Sequence, residues 1–250
     1  MKIVVIGGTG HIGSLLVASL KRQGHEAIPA ALETGVNLLT GAGLPETLVG
    51  AQVVVDLTNS PTFDEAAIAF FETAGRNLLS AEAAAGVRHH VALSIVGADR
   101  LPSSGYLRAK VAQETLIRGS SIPYTIVRST QFMPFIAGII QAGARNGQIH
   151  LPTAMMQPIV PDEVVAALAE VTLGAPANGT IEIAGPEAIA IPRFAEEYLS
   201  AKGDPRVVVG DAAEPYFGTT LEERSLTAGP NARLGATTVA DWLRECIVAD

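Results

Sequence analysis

The first thirteen residues combine an apolar strand with a glycine-rich turn, and they constrain the fold more than any other stretch. The run Lys2-Ile3-Val4-Val5-Ile6 is β-prone, and Gly7-Gly8-Thr9-Gly10-His11-Ile12-Gly13 follows it directly. Residues 14–21 then have helical periodicity. A strand, a tight turn and a helix suit a dinucleotide pyrophosphate, because a helix start offers free N–H groups and a positive dipole end. We predict a dinucleotide-binding unit here.

The glycine spacing fits two templates, Gly8-x-Gly10-x-x-Gly13 and Gly7-x-x-Gly10-x-x-Gly13. Glycine at the turn lets the backbone approach the phosphates, since a Cβ there would collide with them. Gly13 lies inside the helix and should let that helix pack closely. A structural turn that binds no ligand is the alternative. The candidate cofactor contacts in this turn are Gly7, Thr9, Gly10, His11, Ile12 and Gly13.

The composition fits one α/β domain of 250 residues, of which 48% are apolar and available for a core. The 25 acidic and 17 basic side chains give a net charge of −8, which argues against nucleic acid or an anionic membrane as the main partner. The lone cysteine, Cys246, has no partner for an internal disulfide. No signal peptide or membrane-spanning stretch is visible. We expect a soluble cytoplasmic protein.

Strand and helix patterns alternate as far as Arg128, which predicts a Rossmann-type, doubly wound parallel sheet. After the first helix we expect strands at 25–31, Val36–Leu39, 53–55, 89–97 and 122–128, with helices at 44–49, 64–86 and 105–117. Leu57, Thr58 and Asn59 follow the strand at 53–55 at its carboxyl end, where ligands of open α/β sheets bind. We include these three residues among the cofactor contacts, with an ordinary loop as the alternative.

The end of the second strand usually selects between NAD and NADP. An acid there holds the ribose 2′-hydroxyl of NAD, and an arginine accommodates the 2′-phosphate of NADP. Here Ala31 and Leu32 are followed by Glu33 and Thr34. Glu33 comes late and fits a solvated loop charge, whereas Thr34 is able to donate a hydrogen bond to a phosphate. We therefore expect a modest preference for NADP(H), with NAD(H) as the alternative.

A metal site is not expected. His89 and His90 are adjacent on a predicted strand, so their side chains should point to opposite faces of the sheet. The sequence places no cysteine or further histidine cluster beside them.

The pattern changes after Arg128, where prolines and short elements replace the regular alternation. We expect an apolar helix after residue 135, strands at 148–151, 158–160 and 180–183, and helical or amphipathic segments at 162–173, 193–202 and 238–247. Roughly residues 130–250 should add to the end of the sheet and form a small substrate-covering region, within one domain that spans residues 1–250.

Tyr106 and Lys110 lie four residues apart on a predicted helix, and Ser94 lies twelve residues before Tyr106, toward the end of the preceding strand. Hydride that reaches a carbonyl carbon leaves an oxyanion, which needs a proton donor. We predict Tyr106 as this donor, and Lys110 as a ribose ligand whose charge lowers the phenol pKa from about 10. Ser94 would orient the substrate oxygen. The alternatives are a core role for Tyr106 and a simple pair between Lys110 and Glu114.

These motifs resemble the short-chain dehydrogenase/reductase superfamily, and most closely its atypical, NmrA-like and isoflavone-reductase-like branch. The resemblance extends over roughly residues 1–135. The segments that carry it are the glycine turn, Ser94-Ile95-Val96-Gly97, Tyr106-Leu107-Arg108-Ala109-Lys110 and Pro123-Tyr124-Thr125-Ile126-Val127-Arg128. It implies an NAD(P)-binding Rossmann fold and a functional lysine at Lys110. Ser129-Thr130-Gln131-Phe132 stands where the family has Pro-Gly, and Thr130 and Gln131 are included among the candidate cofactor contacts.

Two functions from different classes fit this sequence. The first is an NAD(P)-dependent oxidoreductase that reduces a small, fairly apolar carbonyl, enone or quinone. The second is a non-catalytic dinucleotide-binding redox sensor that acts through a protein partner, as the resemblance allows. The Ser–Tyr–Lys set favours the enzyme, because a sensor has no need of it. Candidate pocket residues are Gln131, Phe132, Met133, Phe135, Met155 and Met156, with a plain core role as the more common alternative for such residues.

Overall fold

The computed structural model describes residues 1–248 and side chains as far as Glu245, so the Cys246 side chain lies outside the described residues. The strands are β1 (Lys2–Ile6), β2 (Glu26–Ala30), β3 (Val53–Asp56), β4 (His89–Ile95), β5 (Tyr124–Ser129), β6 (Ala144–Arg145), β7 (Gln148–Leu151), β8 (Met155–Met156), β9 (Gly179–Ala184), β10 (Ile189–Ala190), β11 (Val207–Gly210) and β12 (Arg233–Leu234). The helices are α1 (His11–Arg22), α2 (Leu44–Leu48), α3 (Ala66–Ala85), α4 (Gly105–Arg118), α5 (Ile136–Gly143), α6 (Pro161–Leu173), α7 (Ile191–Ala201) and α8 (Val239–Val248).

Seven parallel strands form the central sheet, in the order β12-β9-β5-β4-β3-β1-β2. β1 lies between its two successors in the sheet, because β2 pairs with one edge of β1 and β3 pairs with the other. This order confirms the predicted Rossmann-type, doubly wound α/β fold. The reversal lies between β1 and β3, where open α/β sheets bind their ligands. Ile6 and Asp56 are paired at the ends of these two strands, so the loops that follow them emerge side by side.

The predicted strand at Val36–Leu39 is wrong. Asn37 makes only an isolated bridge with Ala42 in this part of the described chain. Its side-chain oxygen accepts the backbone N–H groups of Leu39 and Thr40, at 2.9 and 3.3 Å. The segment turns here because the asparagine satisfies these N–H groups locally, in place of a neighbouring strand.

The second half of the chain departs further from the prediction. The expected strand at 158–160 is reduced to an isolated bridge at Ile159. Five strands that the sequence reading missed are β6, β8, β10, β11 and β12. Each has two to four residues, which is too short to produce a recognisable alternation. The helices α6, α7 and α8 begin and end within two residues of their predicted positions.

The chain divides into two compact units. Unit 1 comprises residues 1–94, 105–128 and 164–181, and unit 2 comprises residues 95–104, 129–163 and those from 182 onward. Unit 1 contains β1 to β3, most of β4 and β5, the helices α1 to α4 and most of α6. The prediction of a single domain stays a prediction.

One face of the sheet in unit 1 carries the main core. Val54 of β3, Ala92 of β4 and Ile126 of β5 are buried together with Leu78 of α3 and Ile117 of α4. Side chains two residues apart on a strand share a face. The residues two positions further along these three strands are polar and equally buried: Asp56, Ser94 and Arg128. The core of unit 1 therefore becomes polar at the carboxyl ends of its strands.

Unit 2 is built from short elements around α5, α7 and α8. The strands β11, β7 and β6 form one small sheet, and β8 pairs with β10. Trp242 of α8 packs on α7, with ring centroids 6.0 Å from both Phe194 and Tyr198. Arg100 donates to the carbonyl oxygens of Arg224 and Thr227, at 3.0 and 2.9 Å, and so fixes a long irregular segment.

Within residues 1–248, no helix has both the length and the apolar character that a membrane crossing requires.

Candidate functional site

The glycine-rich turn connects β1 to α1. Gly7 has a left-handed φ of 71°, and its N–H donates to the Ala30 oxygen at 2.8 Å. The Gly10 N–H donates to the Gly7 oxygen at 3.0 Å. A Cβ on Gly13 would lie 2.1 Å from the Gly7 oxygen and 2.7 Å from Gly8 Cα. The predicted close packing at Gly13 is confirmed, because any other residue would collide with the turn.

Gly10 has space where Gly13 has none. Gly10 is the N-cap of α1, with φ −70° and ψ 176°, and it gives the helix no side-chain cap. Among the described residues, its Cβ would approach only the Gly7 oxygen, at 3.3 Å. Thr9 and His11 are exposed beside it, and Ile12 is half-buried. An uncapped helix start with open space before it fits a pyrophosphate group, although contact with these residues stays a prediction.

Glu33 lies closer to this turn than the sequence suggested. It belongs to a short 3-10 helix, Leu32–Thr34, and a hydrogen bond from the Thr9 side chain lowers the pKa of its carboxyl. The Thr34 hydroxyl is engaged with the backbone of Ala31, at 2.8 and 3.0 Å. Both contacts weaken the case for a preference for NADP. The Glu33 carboxylate would repel a 2′-phosphate, and the Thr34 hydroxyl already has hydrogen-bond partners.

The loop after β3 contains a buried polar atom without a partner. The Leu57 N–H donates to the Ile6 oxygen at 3.1 Å, which holds the loop beside β1. Asp56 Oδ1 accepts the Thr58 N–H at 2.9 Å. In the described chain the buried Thr58 hydroxyl oxygen has no hydrogen-bond partner. Buried polar groups are rarely left unpaired, so this atom fits a place where a ligand supplies the missing partner.

Thr130 and Gln131 belong to unit 2. The Thr130 N–H donates to the Ile183 oxygen at 3.0 Å, and the Gln131 oxygen accepts the Ile159 N–H at 3.0 Å. Within the described residues, Thr130 Oγ1 and Gln131 Oε1 are buried without partners. These atoms also fit a missing ligand. Of the predicted pocket residues, Met133 and Met156 are instead fully buried core side chains.

Tyr106 lies on the first turn of α4, where its hydroxyl donates to Asn59 Oδ1 at 2.7 Å. Its ring packs against Phe63 and Phe71, with centroids at 5.0 and 6.4 Å. Burial raises the pKa of Tyr106 to about 12. The expected lowering by Lys110 is therefore not seen, and the phenol keeps its proton at neutral pH.

Lys110 is held inside unit 1, with 3% of its surface exposed. Its ammonium donates to the Leu93 oxygen at 2.9 Å and to Gln113 Oε1, and it lies 4.7 Å from the centre of the Phe71 ring. Burial lowers the pKa of Lys110 to about 8, against the favourable charges of Asp56 and Glu114. The side chain bonds to Gln113 rather than forming the simple pair with Glu114. A ribose contact at Lys110 stays a prediction.

Ser94 is engaged with Glu114. Its hydroxyl donates to Glu114 Oε1 at 2.7 Å, and 3% of the residue is exposed. Arg128 Nε donates to the same oxygen at 2.9 Å. This geometry argues against the predicted role of Ser94 in orienting a substrate, because the hydroxyl proton is already directed at a buried carboxylate.

Glu114 is the centre of a charged cluster that sequence reasoning missed. Arg128 and Arg118 each donate to its second oxygen at 2.8 Å. Burial alone would raise the pKa of Glu114, but the hydrogen bonds from Arg128 and Ser94 and the two guanidinium charges hold it below its ordinary value. One signal was present in the sequence: Arg128 is a charged residue at the end of an otherwise buried strand.

His89 and His90 point to opposite faces of the sheet and have separate partners. His89 Nε2 bonds to Thr125 at 3.0 Å, and His90 Nδ1 bonds to both carboxylate oxygens of Glu82 at 2.9 Å. Burial, with the charge of His90, lowers the pKa of His89 to about 4. The described part of the chain contains no group of three or more side chains suited to a metal ion.

Comparison with known families places the chain in one of them. A family model described as NAD(P)H-binding matches residues 7–134. The chain belongs to this NAD(P)H-binding family. A (4-alkanoyl-5-oxo-2,5-dihydrofuran-3-yl)methyl phosphate reductase from Streptomyces griseus is 30% identical to this chain over 205 residues, which are 75% of this chain and 69% of the relative. Photosystem II assembly factor Ycf39 from Synechocystis is 28% identical over 153 residues, and the match spans about half of its length, 47%.

Solved structures agree with the family and its fold. A short-chain dehydrogenase/reductase superfamily protein from Agrobacterium tumefaciens, with bound NAD, has a TM-score of 0.76 at 20% identity, covering 100% of this chain and 97% of the other. UDP-glucose 4-epimerase from Thermus thermophilus, in complex with NAD, has a TM-score of 0.69 at 17% identity, covering 90% and 92%. The NAD(P)H-binding family and the Rossmann-type fold that the resemblance implied are confirmed, and the NmrA-like branch stays a prediction.

Proposed function

We propose that this protein is an NAD(P)H-dependent reductase of a small conjugated carbonyl compound, with simple carbonyls and quinones as related substrates. The Streptomyces relative supports this class, because its name describes a dihydrofuranone ring that bears an alkanoyl group. Both are carbonyl functions on an unsaturated ring. At 30% identity the relative supports the type of reaction and leaves the individual substrate open.

The observation that carries the proposal is the position of the Tyr106 hydroxyl. It donates to Asn59 in the loop after β3, next to Thr58, whose hydroxyl oxygen has no hydrogen-bond partner among the described residues. Burial raises the pKa of Tyr106 to about 12, so the phenol is a weak acid that carries its proton at neutral pH, and only a strongly basic oxyanion would take that proton. A substrate oxygen that becomes negative on hydride addition would accept this proton in place of Asn59 Oδ1. The phenolate then recovers a proton from water.

The residues present fit a nicotinamide dinucleotide. The glycine turn with Gly10 would hold the pyrophosphate, Thr58 and Asn59 would contact the cofactor at the carboxyl end of β3, and the bound cofactor would supply the hydride. From the sequence we keep NADP(H) as the preferred form. We expect the preference to be small, because the Glu33 carboxylate stands beside Thr9. Calorimetry that gives tighter binding for NADH than for NADPH would overturn the preference.

The experiment is to follow oxidation of NADPH and NADH with a panel of enones, quinones and aldehydes. Tyr106→Phe removes only the phenolic oxygen, so cofactor affinity should survive while kcat falls by about 10²–10⁴, the usual contribution of a general acid. Tyr124→Phe removes the same atom at the start of β5 and is the matched control. Wild-type kcat in Tyr106→Phe would make Tyr106 a packing residue.

The second candidate is a dinucleotide-binding sensor or assembly protein without catalysis. Two observations favour it: the similarity to Ycf39, whose name describes an assembly factor, and the engagement of Ser94 and Lys110 by buried partners. Its signature is binding of NADPH or NADH without turnover of any member of the panel. A steady rate with one substrate, lost in Tyr106→Phe, decides for the reductase.

A further inference from the structure

Gln113 connects two buried charges of opposite sign. Its Oε1 accepts a hydrogen bond from the Lys110 ammonium, and its Nε2 donates to Asp56 Oδ2 at 2.8 Å. Gln113 is 3% exposed, as are Lys110 and Asp56. The amide has one orientation that suits both neighbours, since the reverse would place an NH₂ group against the ammonium and an oxygen against the carboxylate.

Asp56 extends this link to the loop after β3. Its other oxygen, Oδ1, accepts the Thr58 N–H at 2.9 Å. The next residue, Asn59, accepts the Tyr106 hydroxyl. Two chains of hydrogen bonds therefore connect α4 to the loop at residues 57–59. Tyr106 reaches the loop through Asn59, and Lys110 reaches it through Gln113 and Asp56.

We propose that Gln113 is a positioning residue that fixes the Lys110 ammonium and couples it, through Asp56, to the cofactor-contacting loop at residues 57–59. This proposal rests on the proposed function, because it takes that loop and Lys110 to contact the dinucleotide. A direct ion pair with Asp56 would draw the ammonium toward β3. The interposed amide instead leaves it at the Leu93 oxygen, at the carboxyl end of β4.

The charges around Lys110 come from several elements. Asp56 on β3 and Glu114 on α4 favour the ammonium, and burial opposes it, so the pKa of Lys110 lies at about 8. Glu114 is itself neutralised by Arg118 and Arg128. The charge of Asp56 also acts on the buried pair of Glu82 and His90, raising the pKa of each. Because several charged groups interact here, the test requires a signal that reports on Lys110 alone.

The sequence has four lysines, so NMR of protein labelled with ¹³C at lysine Cε resolves each titration, and Lys110→Met assigns the signal. We expect Gln113→Glu to raise the Lys110 midpoint by about one pH unit or more, because a carboxylate replaces a neutral acceptor. Gln113→Leu should lower it, because the acceptor is lost. Gln113→Leu should also weaken NADPH and NADH binding about tenfold or more, the value of a hydrogen bond to a charged group.

Gln23→Glu, at the exposed end of α1, is the charge-matched control and should change neither quantity. If both Gln113 variants fold and the Lys110 midpoint stays at its wild-type value, Gln113 is a packing residue and the proposal is overturned. If the midpoint moves but cofactor affinity does not, the coupling to the loop is overturned. If Gln113→Leu fails to fold, Gln113→Glu alone decides.

The two proposals fail separately. If Lys110→Met leaves the cofactor affinity unchanged, Lys110 does not contact the cofactor, whatever the Gln113 variants show in the NMR titration. Lys110→Met with weakened affinity, together with Gln113 variants that bind like the wild type, would leave the proposed function intact and overturn the positioning role.

Discussion

Replacing Ser94 by alanine removes one hydrogen bond from a buried carboxylate. Ser94 Oγ donates to Glu114 Oε1 at 2.7 Å, and Arg128 Nε donates to the same oxygen at 2.9 Å. A hydrogen bond to a charged group contributes about 1.5–3 kcal/mol. Because Oε1 keeps Arg128, we expect the lower end. Ser94→Ala should reduce the free energy of unfolding at pH 7 by about 1.5 kcal/mol.

The loss should depend on pH with a defined sign. The folded-state pKa of Glu114 is held below its ordinary value of 4.5. A carboxyl of this kind contributes stability that is fully present above its unfolded pKa and is lost as the pH falls through its folded pKa. Ser94→Ala removes one cause of the lowering. The deficit should therefore be complete at neutral pH and should shrink as the pH falls below about 4.

Urea unfolding followed by circular dichroism, at pH 7 and at acid pH, measures both effects. Ser129→Ala is the matched control, because Ser129 is also buried at a strand end but donates to a neutral acceptor, the Thr130 oxygen, at 2.9 Å. Ser129→Ala should reduce the free energy of unfolding by about 1 kcal/mol, and this reduction should be independent of pH. We expect Ser94→Ala to keep its turnover. If Ser94→Ala unfolds like the wild type but has a lower kcat, this reasoning is refuted and Ser94 contacts the substrate as first predicted.

Three further substitutions test the cofactor site. Gly10→Val should abolish dinucleotide binding in a folded protein, since its Cβ meets a single backbone oxygen at 3.3 Å in the described structure; Gly119→Val, with its nearest oxygen at 3.4 Å, is the control. Unchanged affinity in Gly10→Val would contradict the pyrophosphate position. Gly13→Ala should lower the melting temperature without any cofactor, because its Cβ would lie 2.1 Å from a backbone oxygen. Glu33→Gln should raise the affinity for NADPH relative to NADH, and an unchanged ratio by calorimetry would argue against Glu33 as a determinant.

The first half of the fold could be predicted because its signals are local. Four of the five residues of β1 form an apolar run that ends at a glycine turn. Gly86 ends α3 with a left-handed φ of 73°, as a terminal glycine should. The prediction of a strand at Val36–Leu39 was wrong because it rested on the apolar residues of this segment. The hydrogen bond from the Leu39 N–H to the Asn37 side chain, which turns the backbone, has no signal in the apolar pattern. The short strands of unit 2 leave no periodicity to detect.

The candidate site was predicted in position but not in its contacts. Spacing correctly placed Tyr106 and Lys110 on one helix and Ser94 at a strand end. The partners come from elsewhere in the chain: Asn59 lies 47 residues from Tyr106, and Glu114 lies 20 residues from Ser94. Periodicity tells which face a side chain occupies, whereas its partner depends on how the strands are ordered in the sheet. A single sequence without that order leaves these contacts undetermined.

The polar groups at the carboxyl end of the sheet are hard to explain by stability alone. Asp56, Lys110, Glu114 and Arg128 are buried on one face where apolar residues would continue the core, and buried ion pairs are often no better for stability than apolar replacements. Their position at the ligand edge of the fold points to a role in holding that edge. In that case Lys110 and its neighbours shape the site. Tyr106 differs from Ser94 and Lys110, because its hydroxyl donates to Asn59 in the exposed loop after β3, whereas they donate to buried partners. The choice between reductase and sensor therefore depends on whether removing this one oxygen stops turnover.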